Sequence, residues 1–431
     1  MKFIANTRDI ERYLRVKIKE QNVIKNISTD SRSLKKDSLF IALRGINFNG
    51  NDYVEDALEK GAVIVITDDK RFENSKNKKI IYVRNTISSL AKISKNIIKD
   101  YKGKVIAITG SNGKTSTTKI IGKTLKCSSS TIKNYNNEIG MPLSLMNASP
   151  KSKQLVLEIG ASKPRDIDFL SKILNPHIGV ITNIGKSHLQ QLKNIKGVLN
   201  VKSEIIKNIR SGGFLIVPNE NKQYLDYWKN IRSDIKILTF GMNKKADFFA
   251  TDIKIKQNGT QFRIISKFLD EHIYIKTNLE GTHNILNILA SCIANFCINE
   301  EIDSFIKLVN SNAINLLRQI KSKWIRGSIL INDTYNANPD STKKSIDLLS
   351  NYNKKTILIL GDMLELGKYR RKLHKEVGEY AKIKGIDVFI GYGDLTKYAS
   401  KSFGKNGFFF KNDEDLKTVS YTHLRAHETH N

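Results

Sequence analysis

The chain has 431 residues, 40% of them hydrophobic and 26% charged, with a formal net charge of +30. That length exceeds what one hydrophobic core holds and predicts two or three domains. No apolar run is long enough to span a bilayer, and the opening MKFIANTRDIERY is too polar for a signal peptide, so membrane insertion and secretion are not expected.

Taken in chain order, the first hundred residues carry three strand-like runs, SLFIAL (38–43), AVIVIT (62–67) and KIIYV (79–83), with a helical YVEDALEKG between the first two. From Tyr101 the rhythm becomes strand, loop, helix. The strands are VIAIT (105–109), LVLEIG (155–160), IGVITNIG (178–185), FLIVPN (214–219) and KILTFG (236–241). An alternating, β-like segment then runs to about Thr277, and a helix from His283 to Phe296 closes this part. A third set follows: SILINDTYN, TILILGDM, DVFIGYG and GFFFKN. Strands alternating with helices predict an α/β fold of parallel, doubly wound sheets. Boundaries fall near Asp100 and Asn312, giving regions 1–100, 101–312 and 313–420, with 421–431 as a tail.

Two other features are compositional. Cys127, Cys292 and Cys297 show no metal or disulfide spacing, and the last two fall in an apolar helical stretch that reads as core. A reducing cytoplasm fits. The lysines are scattered along the chain instead of gathered in one arm. Lys, Asn and Ile abound together, as an AT-rich coding sequence would produce. The charge therefore favours anionic small substrates over nucleic acid.

The most specific stretch is ITGSNGKTSTT (108–118). It keeps the G-K-T of a phosphate-binding loop but has Ile108 where the common G-x-x-x-x-G-K-[ST] form has its first glycine. The physics survives. KVIAIT is a buried strand, Thr115–Lys126 a helix, and Gly110 and Gly113 allow a tight turn close to an anion. The helix start offers unpaired N–H groups and partial positive charge. Lys114 can reach the outer phosphates and the Thr115 hydroxyl suits Mg²⁺. The plain alternative is an ordinary strand-turn-helix corner.

In open α/β sheets, ligands bind at the carboxyl ends of the strands. The loop 110–115 lies there, with Glu158 ending the next strand, His188 beyond the third, and Asp333 and Asp362 ending strands of the last region. Each has a structural alternative: Glu158 as a turn cap, His188 as a helix start, the aspartates as loop residues. Together they suggest one site.

These residues resemble the Mur ligase superfamily, the ATP-dependent amide-forming enzymes of peptidoglycan precursor synthesis, whose phosphate loop is the short T-G-x-x-G-K-[TS] form matched by Thr109 to Thr115. The resemblance runs from about Thr29 to about Gly393. NDTYNANPDS (332–341) and GDMLELG (361–367), with the spacing to HKEVG (374–378), resemble the branch that joins D-alanyl-D-alanine to UDP-N-acetylmuramoyl-tripeptide. STDSRSLKKDSLFIALRGINFNGNDYV resembles the uridine-diphosphate-binding region, although Asp37 stands where glycine is usual and Asn51 where histidine is usual.

The resemblance implies three domains: an N-terminal one for the sugar peptide, a central one for ATP and Mg²⁺, and a Rossmann-like C-terminal one that closes over the nucleotide and receives the dipeptide. It implies sugar-peptide contacts at Ser31, Arg32, Asn136 and Asn137. Nucleotide contacts are implied at Gly110, Ser111, Asn112, Gly113, Lys114, Thr115, Ser116, Asn284, Arg318, Asp333 and Asn336. Thr115 and Glu158 would hold one Mg²⁺ and His188 a second. Lys114, Glu158, His188 and Lys202 would carry the chemistry. Lys202 otherwise reads as a solvated helix lysine; the resemblance aligns it with a lysine that carries CO₂ as a carbamate. A monomer is expected. The alternatives are another amide ligase of the superfamily, tripeptide-forming or folylpolyglutamate-type, and a basic P-loop nucleic-acid ATPase.

The ending departs from the resemblance. A Lys-Gly-Ser-Arg-like loop near the dipeptide site is expected and does not occur. The chain closes instead on VSYTHLRAHETHN, with His423, His427 and His430. A metal-binding tail is one reading, and His423 and His427 stand four residues apart; the other, favoured reading is sequence foreign to the native product. A tail lying outside the core and weak dipeptide ligation are the expectations.

Overall fold

A computed structural model describes residues 2–45, 48–257, 259–298, 302–311, 313, 314, 316, 319–324 and 327–411. Arg318 and the histidine-bearing tail lie outside the described residues. The predicted α/β class is what the chain adopts, as three successive sheet-bearing regions.

The first region holds a four-stranded sheet of β1 (Asn26–Ser28), β2 (Ser38–Ile41), β3 (Ala62–Thr67) and β4 (Ile80–Tyr82), in that order and parallel throughout. The two departures noted in the sequence have local explanations. Asp37 sits at φ 60°, a left-handed conformation that favours glycine and that aspartate tolerates better than most residues. Asn51 is 1% exposed and saturated: its amide donates to Asp68 at 2.9 Å and its carbonyl accepts from Thr67 at 2.6 Å.

The second region is built on nine strands: β5 (Lys104–Thr109), β6 (Ser128–Ser130), β7 (Gln154–Glu158), β8 (Ile178–Ile181), β9 (Phe214–Pro218), β10 (Lys236–Gly241), β11 (Phe248–Lys256), β12 (Gly259–Ser266) and β13 (Ile273–Thr277). Their order is β13-β12-β11-β10-β9-β8-β5-β7-β6. Pairing is parallel from β6 to β11, and β12 and β13 extend the sheet antiparallel. The central strands bury every residue or nearly so, as a sheet covered by helices on both faces requires. Burial of the edge pair alternates instead: β13 reads buried-exposed-buried-exposed-buried. One helix layer is the apolar Thr282–Cys297, which buries Cys292 completely. β5 lies between β7 and β8 in the sheet although neither neighbour is adjacent in sequence. The chain therefore reverses winding direction at the end of β5, where a crevice opens.

The third region corrects the sequence reading in one respect. SILIN does not join the last sheet. It forms β15 (Ile329–Asn332), paired antiparallel with β14 (Ile320–Lys323) as a separate ribbon. Three residues of β15 are exposed, so local hairpin pairing wins over burial. The parallel sheet is β16 (Ile357–Gly361), β17 (Val388–Tyr392) and β18 (Gly407–Phe410). Among the described residues no helix is long and apolar enough to cross a membrane.

Candidate active site

The loop after β5 is shaped by its glycines. Gly110 has φ 147°, and a Cβ there would lie 1.9 Å from Thr182 Oγ1. Gly113, at φ 80°, is the residue from which the helix Lys114–Thr124 starts. Lys114 folds back so that Nζ donates to the Gly110 carbonyl at 2.9 Å, over the loop. Ser111 stitches the loop to the one after β8. Its Oγ donates to the Gly185 carbonyl at 3.0 Å and accepts from the Gly185 N–H at 2.9 Å and from Ser187 Oγ at 2.9 Å.

Glu158, at the end of β7, faces this loop. One carboxylate oxygen accepts from Thr115 Oγ1 at 2.8 Å and the other from Asn136 Nδ2 at 2.7 Å. Asn137 instead accepts from the Gly140 N–H at 2.8 Å at the start of the helix Gly140–Asn147. Both asparagines line the same cleft as Lys114, Glu158 and His188, a space of about 460 Å³. A smaller cavity of about 230 Å³ opens beside Thr115, Ser116 and Tyr335.

His188 begins a one-turn helix, Leu189–Leu192, and holds φ 51°. Burial, with help from Lys202 and Lys114, pushes its imidazole below the ordinary range, although Glu365 opposes this. At neutral pH the ring is uncharged and has a lone pair to offer.

Lys202 is not solvated. It is 0% exposed and its Nζ has no hydrogen-bond partner among the described residues. Burial, reinforced by Lys114, lowers its pKa to about 7. The helix Ile195–Ser203 buries Val198, Val201 and Lys202, so the lysine sits on the apolar stripe at i, i+3, i+4 spacing.

Other predicted site residues are placed differently. Asn336 lines the cleft. Asp333 accepts from Ser345 Oγ at 2.7 Å, while its other oxygen is buried without a partner among the described residues. Asp362 accepts from the Leu395 and Thr396 N–H groups at 2.9 and 3.0 Å, starting the helix Thr396–Phe403, so it is a structural cap. Asn284 is 5% exposed and donates to the Glu280 carbonyl at 2.8 Å. One turn on, Asn287 is the residue that meets the phosphate loop: its Oδ1 accepts from Thr117 at 3.3 Å and lies 2.5 Å from where a Gly113 Cβ would be. Ser31 is buried in the first region, and Arg32 is held by Asp30 at 2.8 Å with its guanidinium exposed.

Sequence reasoning missed the contacts that join the third region to this site. Asn338, which caps the helix Pro339–Leu349, donates to Asn112 Oδ1 at 2.6 Å. Asp340 accepts from the Lys186 N–H at 2.6 Å, and Lys186 Nζ reaches Glu376 at 3.2 Å. Glu365 meets His188 Nδ1. Only the run of polar residues inside NPDS and GDMLELG hinted at them.

Hard oxygen donors meet at Thr115 and Glu158, the donor type that suits Mg²⁺ bound through one carboxylate plus substrate phosphates. Among the described residues no three His, Cys, Asp or Glu side chains form a ready metal cage.

Residues 108–295 match the Mur ligase middle domain, 319–418 the Mur ligase glutamate ligase domain, and 23–101 the Mur ligase family catalytic domain. A UDP-N-acetylmuramoyl-tripeptide–D-alanyl-D-alanine ligase from Buchnera aphidicola subsp. Baizongia pistaciae is 36% identical, over 92% of this chain and 86% of its own length. The Bacillus subtilis ligase of the same description is 34% identical over 89% and 83%. In fold, a MurF crystal structure from Acinetobacter baumannii superposes with a TM-score of 0.89 at 24% identity, covering 100% of this chain and 94% of that one. The Thermotoga maritima MurF ligase in complex with ADP gives 0.76 at 24% identity, covering 93% and 96%. The chain belongs to the Mur ligase family.

Proposed function

We propose that the chain is an ATP-dependent ligase that joins D-alanyl-D-alanine to UDP-N-acetylmuramoyl-tripeptide in peptidoglycan precursor synthesis, acting in the cytoplasm. The observation that carries this reading is one cleft containing both an anion-binding loop and the Thr115–Glu158 pair, in a chain similar along its length to ligases of that description. The division of labour follows the regions: 1–100 for the sugar peptide, 101–312 for ATP, 313–420 for closure and the dipeptide.

A carboxylate is a poor acyl donor because its leaving group would be oxide. In the proposed reaction the tripeptide's terminal carboxylate attacks the γ-phosphorus of ATP and ADP leaves, giving an acyl phosphate. The free amine of D-alanyl-D-alanine then adds to the acyl carbon, and phosphate departs with the former carboxylate oxygen. The first step brings two anions together, so fixed positive charge must offset their repulsion. Lys114 and the loop N–H groups supply it on the protein side. Glu158 and Thr115 would hold Mg²⁺ against the phosphates, and neutral His188 a second ion near the acyl carboxylate; the metal would contribute further charge neutralisation. Asn136 keeps Glu158 turned toward Thr115. A neutral Lys202 amine is able to add CO₂, with loss of a proton, and become an anionic carbamate supporting the second ion.

The test is phosphate release from ATP. Release that requires UDP-N-acetylmuramoyl-tripeptide and D-alanyl-D-alanine together, matched by the pentapeptide product, is the expected result. Release stimulated by DNA and indifferent to the sugar peptide would favour a nucleic-acid ATPase instead.

A further inference from the structure

We propose that Glu365, brought in by the third region, is a positioning residue for His188: its carboxylate holds Nδ1 and so turns Nε2 toward the cleft. The inference rests on the functional reading above and adds a residue to it.

The two side chains come from different regions, His188 from the loop after β8 and Glu365 from the loop after β16. Glu365 Oε2 lies in direct contact with His188 Nδ1. The backbones dock as well, since the Gln190 N–H donates to the Glu365 carbonyl at 2.9 Å. Gly367, at φ 54°, permits the approach: a Cβ there would lie 3.0 Å from Gln190 Cα. Both partners pay in backbone conformation, His188 at φ 51° and Glu365 at φ 59°. Left-handed non-glycine residues persist where the surroundings over-determine them, and here two face each other.

An exposed acid on a mobile loop would make a weak pair. The Glu365 side chain is itself about half exposed, but its loop is anchored. Met363 and Leu366 on either side are 0% and 2% exposed. His374, itself buried, accepts from the Met363 N–H at 3.0 Å and bonds the Arg370 carbonyl through Nδ1 at 2.7 Å. The corner that Glu365 enters is rich in cations, with Lys114 and Lys202 both acting on His188. A carboxylate on one ring nitrogen fixes which nitrogen carries the proton and which faces a ligand. His188 and Glu365 line the same cleft as Thr115 and Glu158. Because the carboxylate arrives from the third region, docking of that region sets the ring.

The experiment is a double-mutant cycle with two readouts. Glu365→Ala should lower kcat by about 10–100-fold with KM for ATP little changed and an unaltered melting temperature. Glu365→Gln, which keeps an acceptor oxygen, should recover part of the loss. His188→Ala combined with Glu365→Ala should be no slower than His188→Ala alone; losses that multiply would overturn the proposal. Ring ¹⁵N shifts of His188, assigned by their absence in His188→Gln, should show the Nδ1-protonated tautomer in the parent chain and a mixture in Glu365→Ala. Unchanged shifts would also overturn it, and this second readout stands whether or not the parent chain ligates. Absence of product in the parent chain would count against the functional reading alone.

Discussion

Lys114→Ala should abolish ligation while leaving the fold intact. Lys114 Nζ lies over the loop, 2.9 Å from the Gly110 carbonyl and 3.5 Å from that of Ser111, where it adds a full positive charge to the partial charge of the helix start. Removing one such group from the position where phosphoryl charge develops typically costs about 3–4 kcal/mol of barrier, a loss of roughly 10²–10³-fold in kcat. The side chain contributes little to the core, so the melting temperature should hold. Steady-state turnover beside a melting curve checks this; near-normal turnover would remove the loop from the mechanism.

The second large effect is expected at Lys202. A buried amine with no hydrogen-bond partner among the described residues is a poor structural choice, because burial penalises its charged form and the neutral form gains no hydrogen bond from them. Its persistence makes sense if the amine is used. Lys202→Ala should lower turnover by about 10–100-fold, the usual loss on removing a group that supports a metal site, and added formate or acetate should restore part of it by occupying the vacated space. Unaltered turnover would remove Lys202 from the chemistry. Stability supplies an independent check. The folded pKa is about 7 against 10.5 for the ordinary side chain. Between those values the unfolded chain binds a proton that the folded chain does not, so in CO₂-free buffer stability should rise as pH goes from 7 toward 10.5. Lys202→Met should remove that contribution to the slope and raise the melting temperature most at low pH.

How much of this was readable beforehand depends on how far apart the interacting residues lie in the chain. The strands of the central sheet announced themselves as apolar runs, because a sheet covered on both faces buries every position. Glu158 stood out as a charge ending such a run. SILIN carried the same signal and misled, since its partner is the neighbouring Ile320–Lys323 and the hairpin stays half in solvent. Lys202 was legible in principle: its spacing from Val198 and Val201 puts it on the buried stripe, but a lysine is ordinarily read as solvent-facing. Asn287 differs from Asn284 by one turn, and nothing in the sequence says which of the two faces the loop. The joints between Asn112 and Asn338, Lys186 and Asp340, and His188 and Glu365 link positions more than a hundred residues apart, and no local pattern encodes them.

Tracing the carboxylate oxygen tests the central claim most directly. If this cleft activates the tripeptide as an acyl phosphate, UDP-N-acetylmuramoyl-tripeptide labelled with ¹⁸O in its terminal carboxylate should give up one labelled oxygen to each phosphate released during ligation. Lys114→Ala should release no labelled phosphate. Phosphate that forms at the normal rate in the parent chain but carries no label from the peptide would mean that water, not the substrate carboxylate, receives the phosphoryl group, and would contradict the account.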